Sequence, residues 1–166
     1  WLDQKILQYK GWMKDQFGCI VALKSPAHIT LIAPFWLEEK QERGLLQTLK
    51  DFRTDLGEIE IKLEGFSHFG KRVIFTDVRG TAALEKIKKQ TTEHFISFFP
   101  GVIKMDDRLF HPHVTIANRD VKPSDFVKAW EYFSNKQISE TFLANTITLL
   151  KLKSGKWEVI GNKSWS

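Results

Sequence analysis

Two short stretches of the chain hold residue types that can move protons: His28-Ile29-Thr30-Leu31 and His113-Val114-Thr115-Ile116. Each reads histidine, apolar, hydroxyl, apolar, and the two histidines stand 85 residues apart, at 28 and 113. Alternation with period two marks a half-buried strand, in which residues i and i+2 share a face. Each copy is therefore expected to aim an imidazole and a hydroxyl one way while Ile29, Leu31, Val114 and Ile116 point the other. Imidazole is the side chain whose ordinary pKa lies nearest neutrality, so two of them facing each other across a groove make an acid–base couple. Either histidine alone reads as structural. The repeat, with a proline just before each copy (Pro26, Pro112) and only five histidines in the chain, reads as a site. Thr30 and Thr115 share their histidines' faces and are suited to donate hydroxyl hydrogen bonds to oxygens that gain charge. Against that, β-branched residues are common in strands for packing reasons alone.

Other candidates stand further from the two motifs. Lys71 and Arg72 follow a loop that holds Phe69, and a cation with a ring there suits a phosphate and a stacked base. Arg119 ends the second motif. These four equally fit solvated loop residues or a surface ion pair. His111 shares the face of His113 across Pro112, so His111, His113 and His28 form a conceivable ligand set for a metal-dependent phosphohydrolase. No carboxylate stands at a metal-motif spacing, however, and threonines are an odd choice beside a metal. A second rival is a non-catalytic RNA- or nucleotide-binding module. Asp106 and Asp107 are suited to orient a histidine, but loop carboxylates are common. Cys19 lies in the apolar run Cys19-Ile20-Val21-Ala22-Leu23 and reads as a buried thiol rather than a nucleophile.

The elements that must position these groups follow from periodicity. Leu2, Ile6, Tyr9 and Met13 predict an amphipathic helix from Trp1 to about Gln16, ended by Gly18. Cys19 to Leu23 reads as a strand that turns into the first motif strand. A second helix is expected over Glu38 to Leu56, then a strictly alternating strand over Glu58 to Leu63. Gly65 to Gly70 reads as an interruption before a strand over Arg72 to Val78. Thr81 to Phe98 is the clearest helix, with Leu84, Ile87, Thr91, Phe95 and Phe98 on one face. After the second motif strand come a helix over Ser124 to Phe133, capped by Ser124, and strands over Gln137 to Leu143 and Thr146 to Leu152. A hairpin at Ser154-Gly155 leads to a last strand over Lys156 to Ile160. The expected fold is α+β, with two pseudo-symmetric lobes of antiparallel sheet, flanking helices and a groove between them. Residues 1–166 form a single bilobal domain on this reading, with one His-x-Thr per lobe.

Composition bounds the function classes. With 166 residues, 42% hydrophobic and 13% aromatic, the chain can bury a full core. No apolar run approaches the ~20 residues of a membrane helix, and one cysteine excludes an internal disulfide. A cytoplasmic location, a monomer and no membrane are expected. The net charge of +5 permits an anionic ligand without requiring one.

Pro26-Ala27-His28-Ile29-Thr30-Leu31, followed by Pro34-Phe35, and Phe110-His111-Pro112-His113-Val114-Thr115-Ile116 resemble the paired motifs of the two-histidine (2H) phosphoesterase superfamily. The nearest branch is the bacterial 2′-5′ RNA ligase-like (LigT-like) proteins, and the likeness spans about residues 18 to 152. Gly65-Phe66 to Val78 also resembles the strand pair that joins the family's lobes. The resemblance implies a metal-independent phosphodiesterase without a cofactor. Its substrates would be RNA 2′,3′-cyclic phosphate ends, cyclic nucleotides or 2′-5′ linkages, with reversible ligation also in the family's range. His28, Thr30, His113 and Thr115 are its catalytic candidates, and the resemblance leans to His113 as base and His28 as acid for ring opening. One departure stands out: the family usually opens with a strand before its first helix, whereas Trp1 already lies in the first helix here.

Overall fold

The strictest alternation in the chain, Ile59-Glu60-Ile61-Lys62-Leu63, starts its longest strand. A computed structural model, which describes residues 1–165, carries that strand (β1) from Ile59 to Phe69. Gly65 does not interrupt it. At φ +71° this glycine sits in a β-bulge between Leu63 and Phe66, and the register with the next strand shifts there. The bulge is pinned from both sides, since Gly65 N–H donates to Ile138 C=O at 2.9 Å and Thr76 Oγ1 donates to Gly65 C=O at 3.0 Å.

Strands β2 (Val73–Val78), β3 (His113–Asn118) and β4 (Ser139–Ala144) complete a four-stranded antiparallel sheet in the order β3-β2-β1-β4. Asn145 alone separates β4 from β5 (Thr146–Lys153), which pairs with β6 (Lys156–Ser164) in a second, two-stranded sheet. The α+β class and the antiparallel sheets agree with the sequence reading. The two sheets are unequal, however, with four strands against two.

Helix α1 (Leu2–Phe17) buries Ile6, Lys10 and Met13 and ends at Gly18, φ +70°. It packs against α4 (Pro123–Ser134), where Trp12 stacks on Tyr132 at 3.6 Å between ring centroids. Tyr9 and Phe133 meet Phe66 of β1 at 5.1 Å each, so these two helices cover one face of the large sheet. Helices α2 (Glu42–Asp51) and α3 (Ala82–Phe98) contact each other, and α2 also contacts β6. Gly161 of β6 lies where a Cβ would come within 3.0 Å of Leu46 and Leu49 side chains, so only glycine lets α2 seat on the hairpin without a shift.

Four local expectations are corrected. Val21–Lys24 is a 3₁₀ turn rather than part of a strand, because Asp120 holds its first amides from outside. α2 starts after a 3₁₀ turn (Glu39–Gln41) and stops at Asp51. Phe52 is extended there, and Thr54 Oγ1 accepts from Leu56 N–H at 3.2 Å, a local bond that competes with the helix. Pro123 rather than Ser124 opens α4. His28-Ile29-Thr30-Leu31 belongs to no strand, since it finds no ladder partner among the described residues. No helix among the described residues is long and apolar enough to cross a membrane.

Candidate active site

Strand β3 presents the second motif as its alternation requires. Val114 and Ile116 are buried, while His113 and Thr115 are half-buried on the opposite face. Cross-strand pairing puts His113 opposite Asp77 and Thr115 opposite Phe75, which is itself opposite Ser67. Ring contacts confirm the shared face: His113 lies 4.9 Å from Phe75 and 5.1 Å from Phe69 between centroids. His111 meets the same two rings, and its Nε2–H donates to Asp77 Oδ1 at 2.9 Å. Phe69 thus stands beside the second motif, 40% exposed.

The two motif histidines share one hydrogen-bond pattern although only one sits in a strand. Nδ1 of His28 lies 2.8 Å from Pro26 C=O, and Nδ1 of His113 lies 2.7 Å from His111 C=O. A carbonyl can only accept, so in both rings Nδ1 carries the proton and Nε2 is left for a ligand. Each ring is held by the backbone two residues upstream of itself. Ile29 and Leu31 pack on the core as expected, whereas Thr30 is exposed.

The electrostatics of the first motif differ from those of the second. Burial pushes the His28 imidazole below its ordinary pKa, and the nearby charges of Lys10 and His113 push the same way, partly offset by the bond to Pro26. His113 is thus close enough for its charge to be felt at His28. Lys10 is a neighbour that periodicity hides. It occupies a core position of α1 and donates through Nζ to Ser25 C=O at 3.0 Å. A lysine at the i+4 step of an apolar stripe was the available signal.

A further link ties the two motifs together. Arg119 takes φ +55° at the end of β3, and Asp120 then turns back to the segment before the first motif. Its Oδ2 accepts from Ile20 N–H at 2.6 Å and Val21 N–H at 2.8 Å, while its buried Oδ1 has no hydrogen-bond partner among the described residues.

The remaining candidates lie elsewhere. Lys71 and Arg72 form the turn between β1 and β2, and Arg72 Nη2 reaches Arg119 C=O at 3.4 Å. A rise of ~3.3 Å per residue puts Arg119 roughly 20 Å along the strand from His113. No contact joins Lys71, Arg72 or Arg119 to a motif histidine among the described residues. His68 packs on Phe126 and Trp130 of α4, and His94 bonds Thr48 C=O, so both are structural. Asp106 is taken by Arg108. No three His, Cys, Asp or Glu side chains gather as a metal-ligand set among the described residues, and His111 is committed to Asp77.

Comparison with known proteins bears on the fold and the family. A protein of Geobacillus kaustophilus provisionally named a phosphoesterase is 26% identical over 140 residues, covering 81% of this chain and 75% of that protein. A Bacillus licheniformis protein with the same provisional name is also 26% identical, over 81% of this chain and 77% of its own length. Among solved structures, a Thermus thermophilus protein superposes with a TM-score of 0.68 at 14% identity, over 98% of this chain and 91% of the other. E. coli LigT complexed with 3′-AMP gives 0.61 at 17% identity, over 84% and 77%. Residues 4–156 match the 2′-5′ RNA ligase superfamily as a whole, and with the LigT-like fold and both motifs present, the chain belongs to that superfamily, the LigT-like 2H phosphoesterases.

Proposed function

We propose that the chain is a phosphodiesterase that opens 2′,3′-cyclic phosphates at RNA ends or in nucleotides, or cleaves 2′-5′ linkages, with His28 and His113 as its acid–base pair and without a metal. The observation that carries this reading is the duplicated tether. Both rings spend Nδ1–H on a carbonyl two residues upstream, which fixes their tautomer and leaves Nε2 as the working atom of each. Ring opening needs one neutral imidazole to take a proton from the attacking water and one imidazolium to protonate the departing ribose oxygen. The new P–O bond forms as the old one breaks, so one proton is taken up and one is released. Burial and nearby cations favour the neutral form of His28, the state in which a base begins. This supports His28 as base and His113 as acid, the reverse of the order the resemblance suggests. Thr30 and Thr115 donate to the non-bridging oxygens, and Phe69 offers its ring to a base. Lys71, Arg72 and Arg119 suit the more distant phosphates of an RNA strand.

The test is a product assay on 2′,3′-cyclic nucleotides and cyclic-phosphate-ended RNA, with wild type and His28→Ala side by side and excess EDTA in parallel. Turnover by wild type that survives EDTA and disappears in His28→Ala is the expected result. Loss with EDTA and recovery with zinc or manganese would replace this mechanism with a metal-dependent one. Tight binding without turnover would leave a nucleotide-binding module.

A further inference from the structure

The core face of α1 runs Ile6, Lys10, Met13, steps of four and three that call for apolar residues. Lys10 nevertheless occupies the middle position and is only 3% exposed. An ammonium has three donors, and among the described residues its one hydrogen bond goes to Ser25 C=O at 3.0 Å. No ion pair engages it among the described residues. A buried ammonium without a carboxylate is costly, and an apolar side chain of similar volume is commonly as good or better for stability. The arrangement therefore calls for something other than packing.

Its surroundings point to the phosphate site. Lys10 holds the carbonyl of Ser25, and His28 holds the next carbonyl, that of Pro26, so two consecutive peptide units of one turn are fixed by these two side chains. The charged and titratable groups acting on the pair are few. Asp3 acts on Lys10 from its own helix, α1, and Lys10 and His113 act on His28. Asp120 is occupied by the Ile20 and Val21 amides. Burial brings Lys10 down to about 8, which still leaves it charged at neutral pH.

We propose that Lys10 is a positioning residue of the phosphate site: it fixes the turn that carries His28, and its unpaired charge is balanced when an anionic phosphate enters beside that imidazole. This rests on the proposed function for its ligand class, a phosphate mono- or diester. Lys10 acts through His28 and through the field, with no part in proton transfer.

The test uses Lys10→Met, which suits the apolar face, with Lys10→Gln as a second uncharged variant and Lys10→Arg as the charge-restoring one. Two readouts need no turnover. In NMR titration with labelled histidine, the His28 midpoint should rise in Lys10→Met and Lys10→Gln and return toward wild type in Lys10→Arg. Inorganic phosphate should raise the thermal midpoint of wild type more than that of either uncharged variant. Without phosphate, Lys10→Met should melt at or above the wild-type temperature. On a cyclic-phosphate substrate its kcat/KM should fall ~10–100-fold, the scale of a misplaced reacting group. An unchanged His28 midpoint in the folded uncharged variants, or equal stabilisation of all proteins by phosphate, would overturn the proposal. If wild type turns over no phosphodiester, the proposed function fails while the titration and the phosphate shift still decide on Lys10.

Discussion

Replacing Asp120 by alanine should loosen both motifs at once, because this side chain reaches from the end of β3 to the turn that precedes His28. Its Oδ2 accepts two backbone amides, Ile20 at 2.6 Å and Val21 at 2.8 Å. A hydrogen bond to a charged group contributes about 1.5–3 kcal/mol. The Ile20 bond is discounted, since that residue is 49% exposed and its amide can turn to water. The unpartnered Oδ1 offsets a further part, because alanine relieves one buried oxygen that has no donor. About 3 kcal/mol remains for Asp120→Ala, which for a chain of this length lowers the thermal midpoint by roughly 6–12 °C. Asp120→Asn keeps an acceptor and loses the charge, so it should fall between wild type and alanine. The assay is thermal unfolding followed by circular dichroism, with cyclic-phosphate turnover measured well below the midpoint. Turnover should drop in the folded variant as well, because the Val21–Lys24 turn loses its anchor to β3. A midpoint shift under ~2 °C for Asp120→Ala would refute the claim that this carboxylate ties the motifs together.

Other outcomes follow from the same geometry. His28→Ala and His113→Ala should each lower kcat by at least ~100-fold, and the double variant should lose little more, since an acid and a base working as a unit are not additive. Near wild-type turnover in either folded single variant would sink the pairing. Thr30→Val and Thr115→Val should be milder than either histidine change in the same assay, because each removes one donor and nearly keeps the shape. Native Cys19 should resist iodoacetamide at pH 8 and react only on unfolding, because burial raises its thiol to about 11 and the thiolate is scarce. His28 is depressed below its ordinary 6.5, so the unfolded chain binds its proton more readily. Its contribution to stability is therefore full above pH 6.5 and is lost as pH falls through the lower folded value, and denaturant titrations between pH 7 and 5 should show a smaller loss for His28→Gln than for wild type.

The sequence displayed those parts of the fold that depend on local pattern. The stripe of α3 as far as Phe95, the alternation of β1, the Ser154-Gly155 turn and the second motif strand all carry a local signal, and each lies where that signal predicts, whereas Phe98, the last member of the α3 stripe, is exposed. The first motif carries the same period, yet a strand also needs a neighbour to pair with, which no local pattern reports. The 3₁₀ turn at Val21–Lys24 was invisible for a related reason, since its determinant, Asp120, sits about 100 residues away along the chain. Gly65 reads as a breaker in one dimension and proves to be a bulge once Ile138 and Thr76 bind its peptide. At the candidate site, residue type and spacing single out the two histidines. Lys10, Asp77 and Phe75 escaped because each looks like an ordinary member of its helix or strand until tertiary contacts bring it near an imidazole.

The two copies of the motif are alike in chemistry and differ in compliance. His113 stands on a strand laddered to β2, while His28 stands on a loop held by side chains and by single carbonyl contacts. On the proposed mechanism, the phosphorus between them passes from a tetrahedral to a five-coordinate arrangement and back, and its apical oxygens change their separation along the way. On that mechanism the laddered wall would keep the reaction axis aimed, and the loop wall, with no ladder of its own, would adjust to the moving oxygen. A pair of equally rigid walls would suit a single bond length. If the proposed mechanism holds, this unequal pair would accept leaving groups of different size, from a ribose oxygen within the same ring to one on a neighbouring nucleotide.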